Sequence, residues 1–303
     1  MKDKIHEEFD NFTKFLFQTD GSDLPSYRDE LYNKIEHISK IIETAPNRDE
    51  LFDQFYKLFA PFDQGPIHKR ARNKPLGYAG DYLLIDWIYT QKKAKSGKGN
   101  FFDALFHSYQ AAQSVRNRKQ YFINKCIELS HEKPSRFDVL NIGCGSCRDV
   151  LETLQSCNNG NHLFFHCVDQ EPAAIEYAKK LLAHVEIQNN VYLDCTNIFR
   201  LKTLNTYDLI WSAGLFDYLE NRIAVLLLKK IWRYLKDDGQ IIFGNFSPEN
   251  PTRRGMELGC RWYLIHRTAD ELITLCKKAE LPFSEIEVES EPMGINLFCI
   301  IKK

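Results

Sequence analysis

No stretch of this 303-residue sequence approaches the roughly 18 consecutive apolar side chains that a membrane-crossing helix requires. Nor does it open on an apolar run, because residues 1–12, MKDKIHEEFDNF, carry charges where a secretory leader needs greasy side chains. A cytoplasmic protein without membrane insertion is therefore expected. An excess of one charge is missing too: 40 Lys and Arg against 41 Asp and Glu leave a net charge of -1, so no overall field gathers a polyanion and no nucleic-acid partner is expected. There is no internal repeat and no low-complexity tract. The nine cysteines are an odd number, spread over segments read as strands and helices (Cys126, Cys144, Cys147, Cys157, Cys167, Cys195, Cys260, Cys276, Cys299), which fits reduced and mostly buried thiols better than a disulfide framework. One C-x-x-C pair, Cys144 and Cys147, has no second pair at zinc spacing, so no metal site is expected.

What is present is enough apolar material, 44% of residues, for one large domain or for a catalytic domain with a smaller partner. Residues 1–132 read as a helical substrate or lid domain. Phe9, Phe12, Phe15 and Leu16, then Leu31, Ile35, Ile38, Ile41 and Ile42, then Leu51, Phe52, Phe55, Leu58 and Phe59 recur at spacings of three and four. Aromatic side chains are 13% of the chain and many lie in these helices, where they are expected to form core rather than to line an acceptor pocket. Residues 65–70 and the polar run 92–100 read as loops, and residues 101–129 return to helical spacing. Residues 133–303 change period. Strand-length apolar runs at 138–142, 163–169, 191–193, 208–212, 241–245, 284–288 and 295–301 alternate with helical stretches at 148–155, 172–184, 223–235 and 268–279. This pattern predicts an α/β, Rossmann-like, seven-stranded and mostly parallel sheet. The last two strands, joined across 290–294 with no room for a helix, are predicted to pair as an antiparallel hairpin.

The strongest local signal is the apolar strand 139–142 running into Gly143-Cys144-Gly145 and then a helix, where small residues admit a ligand close to the backbone and unpaired N–H groups face it. A dinucleotide fingerprint wants a third glycine where Arg148 stands, which weakens an NAD-dependent oxidoreductase reading. Asp169 ends the second strand about 20 residues beyond the turn, a position from which a carboxylate accepts ribose hydroxyls.

The order of Asn141-Ile142-Gly143-Cys144-Gly145, Asp169, the segment 207–219 (YDLIWSAGLFDYL) and the LKDDG turn at 235–239 is similar to class I S-adenosylmethionine-dependent methyltransferases over their whole catalytic domain. The resemblance implies S-adenosyl-L-methionine as cofactor. Asn141, Gly143, Cys144 and Gly145 would lie at its methionyl part, Asp169 and Gln170 at the ribose, Asp194, Cys195 and Thr196 near the adenine, and Ser212, Ala213 and Gly214 towards cofactor and acceptor. From about Pro75 onward, the segments 77–82 (GYAGDY), 111–118 and 262–268 (WYLIHRT) resemble a bacterial subgroup described as forming the methyl ester of 3-hydroxypalmitate. The chain departs from the class pattern at Asn141, where an acidic residue is common, and at Cys147, where glycine is common.

Methyl transfer is an in-line displacement, so the protein chiefly positions the reactants, and a base is needed only when the acceptor carries a proton. His266, Asp217 and Tyr78 are the candidates for such a catalytic role, against the alternatives of a capping histidine and a wall tyrosine. Arg116, Arg118 and Arg267 are candidates to clamp the cofactor carboxylate or an anionic acceptor, against surface ion pairs. The expected activity is methylation of oxygen or nitrogen on a small-molecule substrate, either a fatty-acid carboxylate or a secondary metabolite; a homodimer is compatible with the sequence. A non-catalytic module that binds S-adenosylmethionine as a regulator is the competing reading alongside the oxidoreductase.

Overall fold

The computed structural model describes residues 2–18, 23–157, 162–183 and 190–303. Contacts divide the chain into a helical unit, Met1–Gln113 with Asn250–Tyr263, and a sheet unit, Ser114–Glu249 with Leu264–Lys303.

In the helical unit α1 (Lys2–Phe17), α2 (Leu24–Glu43) and α3 (Arg48–Leu58) turn their three-and-four-spaced apolar faces inward, as their spacing predicts. Phe12 packs on Phe55 and Phe59 at ring-centroid distances of 5.0 and 5.2 Å, and Phe62 and Phe102 extend the same buried aromatic cluster. Residues 65–70, expected to be a loop, instead begin α4 (Pro66–Asn73), because proline at the first helical position has its φ preset and needs no N–H there. After α5 (Tyr82–Tyr89) comes α6 (Gly97–Ser108), so the polar run expected as loop to residue 100 gives up its last four residues to a helix. The π-helical turn Gly255–Gly259 also belongs to this unit: Leu258 enters its core, and the Arg72 guanidinium donates to the Gly259 and Tyr56 carbonyls.

The sheet unit takes most of α7 (Gln110–His131) and then alternates β1 (Phe137–Ile142), α8 (Arg148–Ser156), β2 (Leu163–Asp169), α9 (Pro172–Leu182), β3 (Val191–Cys195), β4 (Tyr207–Ser212), α10 (Asn221–Trp232), β5 (Leu235–Phe246), α11 (Ala269–Lys278), β6 (Glu285–Ser290) and β7 (Asn296–Lys302). His184, expected to end the helix after β2, lies outside the described residues. The strand order is β3-β2-β1-β4-β5-β7-β6, with β1 to β5 parallel and β7 antiparallel to both β5 and β6. The fold expectation, including the terminal hairpin, is borne out. Leu140, Ile142, Ile210 and Phe243 pack one face of the sheet against α10 and α11, while Val139, Phe165, Trp211 and Phe298 pack the other against α7, α8 and α9. Leu235, expected to close the preceding helix, is instead the first residue of β5: it pairs with Tyr207, and a bulge shifts the register before Leu209 meets Gln240.

The carboxyl ends of β1 and β4 are neighbours from which the chain leaves towards opposite edges of the sheet, and such a switch point opens a crevice in parallel sheets. The hairpin is tied to α7 by Glu291, whose buried carboxylate accepts from the backbone N–H groups of Met293, Ile295 and Asn296 and from Asn117 Nδ2 at 3.0, 2.8, 3.2 and 2.7 Å. Replacing it by alanine strands four donors, so Glu291→Ala is expected to lower unfolding stability by about 2–4 kcal/mol in a urea titration of the whole chain. Unchanged stability would show that the carboxylate does not hold the hairpin.

Candidate active site

At the end of β1 the backbone must reverse into α8 within a few residues. Gly143 takes φ +67° to do so, and the N–H groups of Gly143 and Cys144 both donate to the Val168 carbonyl, at 2.8 and 3.2 Å. Asp169, one residue on, accepts from Gly145 N–H through Oδ2 and from Glu171 N–H through Oδ1, both at 2.9 Å, so the turn and the end of β2 are locked together. Burial raises the Asp169 pKa, and those two N–H donors pull against it. Cys147, standing where a glycine is common in the resembling family, adopts φ +55° and N-caps α8. Cys144, Cys147 and Cys167 contact one another through their thiols; the bond with Cys147 for Cys144 and the bond with Cys144 for Cys167, and then burial, push the pKa well above the ordinary value against the pull of the remaining thiol, leaving neutral packed thiols.

Behind the turn, Asn141 Nδ2 donates at 3.3 Å to Oδ2 of Asp149, a carboxyl in the first turn of α8 whose pKa burial pushes up to about 6. Arg118 of α7 is 4% exposed. Its Nη1 donates to the Ala213 carbonyl at 3.2 Å, while its Nε has no hydrogen-bond partner among the described residues. Gly214 leaves it room, since a Cβ there would come within 2.9 Å of Nη1 and the guanidinium would have to shift. Asp217 is 2% exposed; its Oδ1 accepts from Phe246 N–H at 2.7 Å, and burial, against the pull of Arg118 and Arg267, pushes its pKa up to about 7. Arg267 is different in kind. All five of its N–H donors are used within the sheet unit, on Asn221 Oδ1 twice, Asn245 Oδ1 and the Phe216 and Leu219 carbonyls, so it braces the loop after β4 and has none left for a ligand.

The carboxyl ends of β1, β2 and β4 thus bring together Asn141, Gly143, Cys144, Gly145, Asp169, Ser212, Ala213, Gly214 and Asp217. Ser212 Oγ donates to the Ile142 carbonyl at 3.2 Å, and Thr196 N–H donates to the Asp169 carbonyl at 2.9 Å. Gln170 and Cys195 are exposed, and Gln170 Oε1 accepts from Asn197 Nδ2 at 2.7 Å. Asp194 turns to a sheet face, with Oδ2 3.5 Å from His166 Nε2. His266 is half-buried with Nδ1 3.2 Å from the Leu264 carbonyl, and its segment reaches Asp217 through Ile265 N–H, which donates to the Asp217 carbonyl at 2.7 Å. Arg116 is half-buried, and desolvation lowers its pKa. Tyr78 belongs to the helical unit, 40% exposed in the turn before Asp81, which caps α5 through the Leu83 and Leu84 N–H groups and pairs with Arg70 at 2.8 Å. Sequence reasoning did not single out Asp149. It weighed Arg118 only beside two other arginines, although the α7 stripe Ala111, Val115, Arg118, Phe122, Cys126 shows an arginine in an otherwise apolar and buried row.

Residues 140–241 match a family described as a methyltransferase domain. The chain is 22% identical over 220 residues to malonyl-[acyl-carrier protein] O-methyltransferase of Bacillus cereus, a match spanning 67% of this chain and 74% of that one. Among solved structures, a possible exported protein from Bordetella parapertussis is similar with a TM-score of 0.60 at 16% identity, over 74% of this chain and 79% of that chain. The S-adenosylmethionine-dependent methyltransferase SibL in its apo form is similar with a TM-score of 0.51 at 16% identity, over 92% and 76%. Among the described residues no helix is long and apolar enough to cross a membrane.

The folded-state pKa of Asp217 lies above that of an unfolded aspartate, so between about pH 4 and 7 the folded chain binds more protons and its stability falls as pH rises. Asp217→Asn keeps an acceptor for Phe246 N–H and removes this titration. Thermal unfolding is expected to show the parent losing stability relative to the variant, by a few kcal/mol, between about pH 4 and 7. A constant difference across that window would place the Asp217 carboxyl in an ordinary, hydrated state.

Proposed function

We propose that this S-adenosylmethionine-dependent methyltransferase holds its donor in the crevice at the carboxyl ends of β1, β2 and β4 and methylates an oxygen or nitrogen of a small-molecule acceptor in the cytoplasm. The observation that carries the placement is Arg118: a buried guanidinium whose Nε finds no partner on the chain suits a carboxylate brought by a ligand. The backbone around it fits such a ligand, because Gly143 and Gly145 keep side chains out of the turn and a Cβ on Gly143 would meet nothing nearer than 3.7 Å. When bound, S-adenosylmethionine supplies an electrophilic methyl group on a sulfonium.

The chain's own groups then have separate tasks. Arg118 pairs with the methionyl carboxylate. Asn141, its amide nitrogen turned to Asp149, keeps a carbonyl oxygen for the ammonium. Asp169 accepts ribose hydroxyls at the end of β2. Asp217 is the group able to take a proton near neutrality, because burial has brought its pKa to about 7. It is needed for a hydroxyl or amine acceptor and idle for a carboxylate, which attacks already deprotonated. The resemblance to ester-forming enzymes and the likeness to an O-methyltransferase both support oxygen as the acceptor atom, with a fatty-acid carboxylate as the first class to screen.

Calorimetry separates these tasks. Arg118→Gln is expected to weaken S-adenosylhomocysteine by roughly 10–100-fold and to leave 5′-methylthioadenosine, which lacks the amino-acid part, unchanged. Asp169→Asn is expected to weaken both. Equal affinities for parent and variants would move the donor elsewhere. A labelled-methyl screen over lipid and small-metabolite fractions, read by mass spectrometry, identifies the acceptor, and failure to label any fraction would count against the transferase role.

A further inference from the structure

Parallel strands of one sheet are usually joined by a crossover that contains a helix packed on a sheet face. The connection from β3 to β4, residues 196–206, contains no α-helix, and its last residues Leu204, Asn205 and Thr206 form one wall of a groove on the sheet unit. A cavity of about 440 Å³ lies there, lined by Asp138, Phe164, His166, Tyr192, Tyr207 and Lys236 among others. Its lining runs from Arg136 and Asp138 at the start of β1 to His166, which is level with Leu140, so its near edge lies about 10 Å along the strand from Gly143.

The walls are largely rings. His166 lies 4.9 Å from Tyr192 and 5.9 Å from Tyr207, and the Arg136 guanidinium lies 4.1 Å from the Phe164 ring. Two large apolar side chains of the lining are given to solvent, Tyr192 at 63% exposure and Leu204 at 102%. The charges cancel one another: Arg136 pairs with Asp138 at 2.9 Å, and Lys236 with Asp138 and Asp208 at 2.9 and 2.6 Å. Burial pushes the His166 pKa down against the pull of Asp194, whose Oδ2 lies 3.5 Å from Nε2, and Nδ1 lies 2.6 Å from the Tyr207 hydroxyl. Asn205 and Thr206 leave exposed polar groups at the rim. With the charges of its lining paired among themselves the groove has little to gather an ion, and with this many polar groups it does not suit an alkyl chain. Ring faces beside side-chain amides and hydroxyls suit a flat ligand with hydrogen-bonding atoms at its edge.

We propose that this groove is a second ligand site, separate from the donor crevice, that takes an uncharged planar heteroaromatic ring. The probe is quinazolin-4-one, flat and bearing an amide edge, with cyclohexanecarboxamide as the control that keeps the amide and loses the plane. Titrated into the full chain, quinazolin-4-one is expected to bind in the range of about 0.1–1 mM usual for so small a ligand, equally with and without saturating S-adenosylhomocysteine, and the control is expected not to bind. Tyr192→Ala and Leu204→Ser alter exposed side chains and leave the fold intact; each is expected to weaken the probe, Tyr192→Ala by about tenfold, with S-adenosylhomocysteine affinity unchanged. The proposal is overturned if the probe fails to bind the parent at millimolar concentration, if S-adenosylhomocysteine displaces it, if the control binds as well, or if both variants bind it as the parent does.

Discussion

A guanidinium withdrawn from water is the constraint around which the sheet unit is arranged. Arg118 cannot shed its charge, so its surroundings must supply acceptors or a ligand must. The chain supplies one carbonyl, from Ala213, and the fields of Asp149 and Asp217, both carboxyls that burial keeps close to protonation. It also supplies space. Gly214 leaves room for Nη1, and Gly244 lies so near the Ala213 carbonyl that a Cβ there would stand 2.4 Å from it. Arg118 pulls the pKa of both carboxyls down while burial pushes them up, so the guanidinium and the two acids hold one another in balance beside the glycines.

Two arginines at these strand ends show how burial alone misleads. Arg267 is as buried as Arg118, yet every one of its donors ends on the chain, and it works as a brace for residues 216–221. Arg118 keeps a donor in reserve. Counting donors separates a cation used up by its own chain from one with a donor left over, where a charge or an accessibility does not. The same distinction applies to the thiols of Cys144 and Cys147: their C-x-x-C spacing suggests reactivity, but packing against Cys167 makes them interior filling under the donor turn.

Much of the sheet was legible in the sequence because a strand buried on both faces reads as an uninterrupted apolar run, as in VLNI of β1 and LIWS of β4. The hairpin was legible from its short connection. What failed were boundaries set by one backbone feature. Pro66 starts a helix in a segment whose glycine and charges read as loop, and Leu235 opens a bulged strand where apolar spacing continued the preceding helix. In the site, the glycine turn and Asp169 were visible from position relative to the strands. Asp149 was not, because an acid in the first turn of a helix is ordinary, and only the fold shows that it faces Asn141. Arg118 was visible in principle as a polar intruder in the apolar stripe of α7.

The contact between Arg118 and Gly214 joins two positions that lie 96 residues apart in the chain but share one small volume. A side chain at 214 obliges the guanidinium of 118 to shift, or is met by a shorter residue there, so the two replacements are coupled. Among descendants of this chain the two positions are therefore expected to vary together, even though neither residue is covalently or hydrogen bonded to the other.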